Sequence, residues 1–78
     1  MKTINLNKEL GPRLTHDFLS LSGLNSVSPS SFFLYKDFFK KTVEELKNKD
    51  RKLYTLIQRN LIESEIFESI TEIQISKV

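Results

Sequence analysis

An α+β fold, built as a small mixed sheet covered on one face by two helices, is what this sequence predicts. Two observations carry the expectation. Apolar and polar residues alternate at both ends of the chain, and an apolar period of three to four residues runs through its middle. The element order that follows is β-β-α-β-α-β within one domain, residues 1–78.

Residues 2–6 place Ile4 and Leu6 on one side of a short half-buried strand. Gly11 and Pro12 then break the chain, one by freeing the backbone and the other by fixing φ and removing a donor. In residues 18–24, Leu19 and Leu21 alternate with serines, which reads as a second strand leaving the sheet at Gly23. A serine-rich turn covers 25–31, with Ser28 placed to cap a helix and Pro29 at its first position, where a missing N–H costs nothing.

From Phe32 to about Asn48, Phe32, Tyr35, Phe39, Val43 and Leu46 form one apolar stripe, with Phe38 alongside and Phe33 off it. Asp37–Lys41, Lys40–Glu44, Lys41–Glu45 and Glu45–Lys49 are spaced as ion pairs, each adding about 0.2–0.5 kcal/mol. Residues 48–50 are a polar break. Residues 51–57 read two ways, as a buried β-favouring strand or as the start of one long helix running to 70. The strand reading is adopted, followed by a short helix with Ile62, Ile66, Phe67 and Ile70 on one face. Residues 71–78 alternate strictly around Ile73 and Ile75, a closing strand whose polar face suits a sheet edge.

Composition narrows the function. There is no cysteine, and His16 is the only histidine, so disulfides are excluded and a structural zinc site has no ligand set. Neither a metal nor a cofactor is expected. Twelve basic residues against ten acidic ones, interleaved at helical spacing, argue for a solvated face over a nucleic-acid patch. Lys36, Lys40, Lys41, Lys47, Lys49, Arg51 and Lys52 belong to that mixed surface. No apolar run reaches the roughly 20 residues needed to span a bilayer, and residues 1–6 lack a signal-peptide core, so a cytoplasmic location is expected. His16-Asp17 lacks a nucleophile or metal partner at matching spacing, and Gly11-Pro12-Arg13 lacks the glycine-rich pattern of a phosphate loop. No catalytic constellation can be assembled, and the expectation is that the chain is not an enzyme.

The stretch 19–32, Leu-Ser-Leu-Ser-Gly-Leu-Asn-Ser-Val-Ser-Pro-Ser-Ser-Phe, resembles the signature region of STAS and STAS-like domains, a group that includes bacterial anti-sigma factor antagonists. There an apolar strand ends in a polar-Gly-apolar turn, and a serine-bearing loop leads into an amphipathic helix. Residues 51–57, 58–70 and 71–76 resemble that family's next strand, last helix and closing strand, in a version trimmed between its first two strands. The resemblance implies a regulatory module that binds a protein and performs no chemistry. It places Ser30 at the position of the phosphorylated serine, with Ser28 and Pro29 standing where the family has an acidic residue and a serine. A phosphate at a helix N-terminus would meet free N–H groups and a favourable dipole.

The expected function is thus docking of a partner protein through Ser28, Ser30, Ser31 and Phe33 and the helix that follows. A core this small also favours a homodimer or stable complex. One rival is a small phage or mobile-element inhibitor or adaptor of a host protein, which predicts one continuous helix over 51–70. A nucleic-acid-binding accessory protein is the other, and predicts a steep salt dependence of affinity.

Overall fold

In the computed structural model, which describes residues 2–24 and 31–76, the chain folds as an α+β protein with five α-helices and a three-stranded mixed sheet. The strands are β1 (Thr3–Asn5), β2 (Ser31–Tyr35) and β3 (Glu72–Ser76), in the spatial order β1-β3-β2. β1 runs parallel to β3 with Ile4 opposite Ile73. β2 runs antiparallel to β3, with Phe32 opposite Ile75 and Leu34 opposite Ile73. Because side chains alternate along a strand, this register collects Ile4, Ile73, Ile75, Phe32 and Leu34 on one face. Thr3, Asn5, Glu72, Gln74, Phe33 and Tyr35 fall on the other.

The closing strand is therefore central, a correction to the expected edge placement. Its polar residues mark the solvent side of a sheet with one face covered. They say nothing about which strands flank it, and Ile73 and Ile75 are fully buried.

The helices are α1 (Leu6–Leu10), α2 (Pro12–Ser22), α3 (Lys36–Glu45), α4 (Arg51–Ile57) and α5 (Glu65–Ser69). Their apolar stripes join the inner sheet face in one core of Leu6, Phe18, Phe39, Val43, Leu53, Ile57, Leu61, Phe67 and Ile73 among others. Phe18, Phe39 and Phe67, from α2, α3 and α5, form its aromatic spine, with ring centroids 5.4 and 6.2 Å apart in tilted contacts. Tilted pairs at this separation suit the ring quadrupoles.

Three further expectations are corrected. Residues 18–22 end helix α2 where a strand was expected. Pro12 occupies its N-terminal turn, and Gly23, at φ +80° in the left-handed region, terminates it. Pro inside the start and Gly past the end is the usual helix asymmetry. Thr15, Phe18 and Leu19 are its buried stripe.

Residues 31–35 form β2 where a helix was expected, so α3 begins only at Lys36 with Tyr35 at its N-cap. The expected cap at Ser28 and helix start at Pro29 lie outside the described residues. Aromatic side chains favour a pleated surface with a cross-strand partner, which β3 supplies. Residues 51–57 form α4 where a strand was expected. The Asp50 carboxylate accepts the Leu53 N–H at 3.1 Å, and Leu53, Ile57 and Leu61 are buried at four-residue spacing. The helical path widens into a π-turn at Gln58–Ile62 and breaks at Glu63 and Ser64 before α5, so one helix does not run through to 70. Among the described residues none of the expected i, i+4 ion pairs closes to 4.0 Å, and Glu45–Lys49 spans the helix end. Exposed pairs gain too little to hold two long side chains in place.

Candidate functional site

β2 is an edge strand, and its hydrogen-bonding phase can be read from its end. The Lys36 N–H donates to the Thr71 carbonyl at 3.0 Å, one position beyond the Tyr35–Glu72 pair. Bonded pairs alternate in an antiparallel ladder, so Phe32 and Leu34 face β3 with their backbone groups. Phe33 and the N–H of Tyr35 point to the open edge. Among the described residues no strand lies beyond it.

Two of the four large exposed apolar side chains among the described residues sit on this strand: Phe33 is 49% exposed and Tyr35 75%. A third, Phe38, 49% exposed, follows in the first turns of α3 and lines a shallow groove with Leu24, Lys41 and Glu45. The charge pattern sets the region apart. Asp17 and Lys36 bracket 18–35, a run with no Asp, Glu, Lys or Arg in a chain that is 28% charged. Exposed edge strands are ordinarily guarded by Lys, Pro or a bulge, and Ser31–Tyr35 contains neither residue.

Of the residues expected to dock a partner, Phe33 is exposed and Ser31 opens β2. Ser28 and Ser30 lie outside the described residues, and with them the expected phosphorylation position. Tyr35 and Phe38 were assigned to the core stripe and are exposed instead. The interruption of charge between Asp17 and Lys36 was the signal available for finding Tyr35; Phe38 lies beyond it, after Lys36 and Asp37.

Elsewhere the surface offers less. His16 Nδ1 lies 3.8 Å from an Asp17 oxygen, both side chains largely exposed. Arg13, Asp17, Asp50 and Lys52 mix both signs around an open cleft between α2 and α4. Several basic side chains serve the fold. Lys36 Nζ donates to the Glu68 carbonyl at 3.3 Å and sits 5.1 Å from the Phe67 ring centroid. Lys49 Nζ donates to the Leu21 carbonyl at 3.2 Å, and Lys47 lies over Tyr54. Among the described residues no group of His, Asp and Glu could hold a metal, and no helix is long and apolar enough to cross a membrane.

The STAS-like resemblance implies a strand ahead of the Gly23 turn and another over 51–57, where this chain has the end of α2 and α4. No family model, curated protein or solved structure matches the chain.

Proposed function

We propose that this chain is a non-catalytic protein-binding module that receives an extended segment of its partner along the open edge of β2. One observation carries the reading: an uncharged aromatic strand whose outward amides have no ladder partner among the described residues. Strand addition draws affinity from main-chain bonds and specificity from alternate side chains. Phe33 is the anchor on the outer face, Tyr35 flanks it, and Phe38 extends the contact into the start of α3. The proposal rests on this surface and takes no residue role from the STAS-like resemblance.

Selection of a displayed random-peptide library against the immobilised chain tests it. Binders are expected to be extended and apolar at alternate positions. They should shift the amide resonances of residues 31–38 and lose at least about tenfold in affinity to Phe33→Lys, the usual scale for removing an aromatic anchor. Binders that all map to the Arg13–Lys52 cleft, or salt-sensitive binding of DNA or RNA in their place, would overturn it.

A further inference from the structure

The occupant of the β2 edge can be specified further, on the reading that this edge is a binding surface. We infer that it pairs with the β2 of a second copy, antiparallel and about a two-fold axis at Phe33, so that two three-stranded sheets become one of six.

Symmetry is the first argument. Phe33 is the midpoint of the five-residue strand Ser31–Tyr35. A two-fold axis there pairs Phe33 with Phe33 of the other copy, Phe32 with Leu34, and Ser31 with Tyr35, leaving no residue of the strand unmatched. Such an interface is isologous and closes at two subunits.

Backbone phase is the second. The N–H and C=O of Phe33 point outward, so the central pair exchanges both of its hydrogen bonds. The Tyr35 N–H reaches the Ser31 carbonyl of the other copy on either side. Facing residues in an antiparallel pair lie on the same sheet face. The two Phe33 rings therefore meet on the outer face, and the half-buried Phe32 meets Leu34 on the inner one.

Charge is the third argument, and it favours self-pairing in particular. A two-fold axis sets Phe33 directly against its own copy and brings each other residue of the strand within a few positions of its own copy, so charge near the axis would lie close to like charge. None is present between Asp17 and Lys36. The two Lys36 residues stand three positions either side of the axis, roughly 20 Å apart at about 3.3 Å per residue, well beyond a Debye length of about 8 Å. The other sheet edge lacks this character: β1 is three residues long, follows Lys2 and carries no aromatic residue.

One strand pair is a small interface, in the class below about 1,200 Å² where association is weak and concentration-dependent. The experiment is amide hydrogen exchange by NMR on the whole chain over about a hundredfold range of concentration, with sedimentation equilibrium alongside. Phe33 and Tyr35 amides should exchange freely in dilute solution and slow at least about tenfold when concentrated. Phe32 and Leu34, bonded to β3, should be protected throughout. Phe33→Lys should stay folded by circular dichroism and weaken association by at least about tenfold, since it places like charges directly opposite. A chain that sediments as a monomer throughout, with free Phe33 and Tyr35 amides, overturns the inference, and so does a dimer that leaves those amides unprotected. Peptide binders at β2 on a monomeric chain would sink the inference alone and leave the proposed function standing. A dimer with protected amides and no peptide binder at β2 would do the reverse.

Discussion

The two edges of the sheet are built from opposite materials. β1 spans Thr3–Asn5, polar on its outer face, and its neighbouring Lys2 carbonyl accepts the Thr71 N–H at 2.9 Å. Its Asn5 also caps α1, accepting the Lys8 N–H at 3.2 Å. β2 is longer, uncharged and aromatic, and its outward amides are unused among the described residues. Both edges flank the same central strand and share its buried isoleucines. Stability of the sheet therefore cannot account for the difference, because the inner face alone supplies it. What distinguishes β2 is displayed outward, on the edge and the outer face, where folding gains little from apolar residues.

The sharpest way to break the comparison is to place proline at successive positions of β2. Leu34→Pro removes an N–H bonded to β3 and a buried side chain, and should cost about 3 kcal/mol or more. Phe33→Pro removes an N–H that points to the open edge, a position where edge strands tolerate proline. It should cost less than about 1.5 kcal/mol while abolishing association. Urea denaturation of the two variants decides it. Equal destabilisation would mean that the hydrogen-bonding phase assigned to β2 is wrong.

The helical layer gives the next comparison. α4 starts at a cap formed by its own sequence, Asp50 to Leu53, whereas α3 starts from Tyr35 with no side-chain cap and depends on β2 for its position. Asp50→Ala should cost about 1 kcal/mol and Asp50→Asn almost nothing, because asparagine caps equally well. A comparable loss in both would show that Asp50 acts through charge and not through the cap.

These contrasts bear on what the chain discloses before it folds. β1 and β3 were legible from the alternation near the chain ends, except that Leu6, expected in the first strand, opens α1 behind the Asn5 cap. Residues 18–24 carry two signals at once: Leu19 and Leu21 alternate with serines, while Thr15, Phe18 and Leu19 keep helical spacing. Pro12 and Gly23 decide between them, and both are local marks. The strand at 31–35 is a different case. Four consecutive apolar residues fit a helix stripe or a strand equally, and the choice rests on pairing with residues about forty positions away. Residues 51–57 had β-favouring composition but also Asp50 in front of them, a cap signal read only as a break. The exposure of Phe33 was legible because it lies off the helical stripe. The structure exposes it through strand alternation, which exposes Tyr35 as well.

Inside the layer, α2 holds the one buried side-chain polar atom without a partner among the described residues, the Thr15 hydroxyl. Thr15 is only 2% exposed and belongs to the buried stripe of α2, near its start. A buried hydroxyl with no bond forfeits its hydration, at about 1–3 kcal/mol. Valine has nearly the same shape and a similar helix propensity. Thr15→Val should therefore raise stability by about 1 kcal/mol, seen as a higher urea midpoint at unchanged slope. A loss would mean that the hydroxyl has a partner in solution, and that α2 owes part of its position to that bond.

The smallest expected effect falls on the other edge, and it is the control the comparison needs. Thr3 is exposed on the outer face of β1, opposite Glu72, with its hydroxyl 3.4 Å from a Glu72 oxygen. A bond that long at a solvated position contributes little. Thr3→Lys adds the same charge as Phe33→Lys, on the same face of the same sheet, two strands away. It should move stability by less than about 0.5 kcal/mol and leave association unchanged in sedimentation. If Thr3→Lys weakened association as much as Phe33→Lys, net charge would be responsible and the β2 edge would lose its special status. If only the β2 substitution acts, the contact is local to that strand, and the lack of charge between Asp17 and Lys36 has a physical reason.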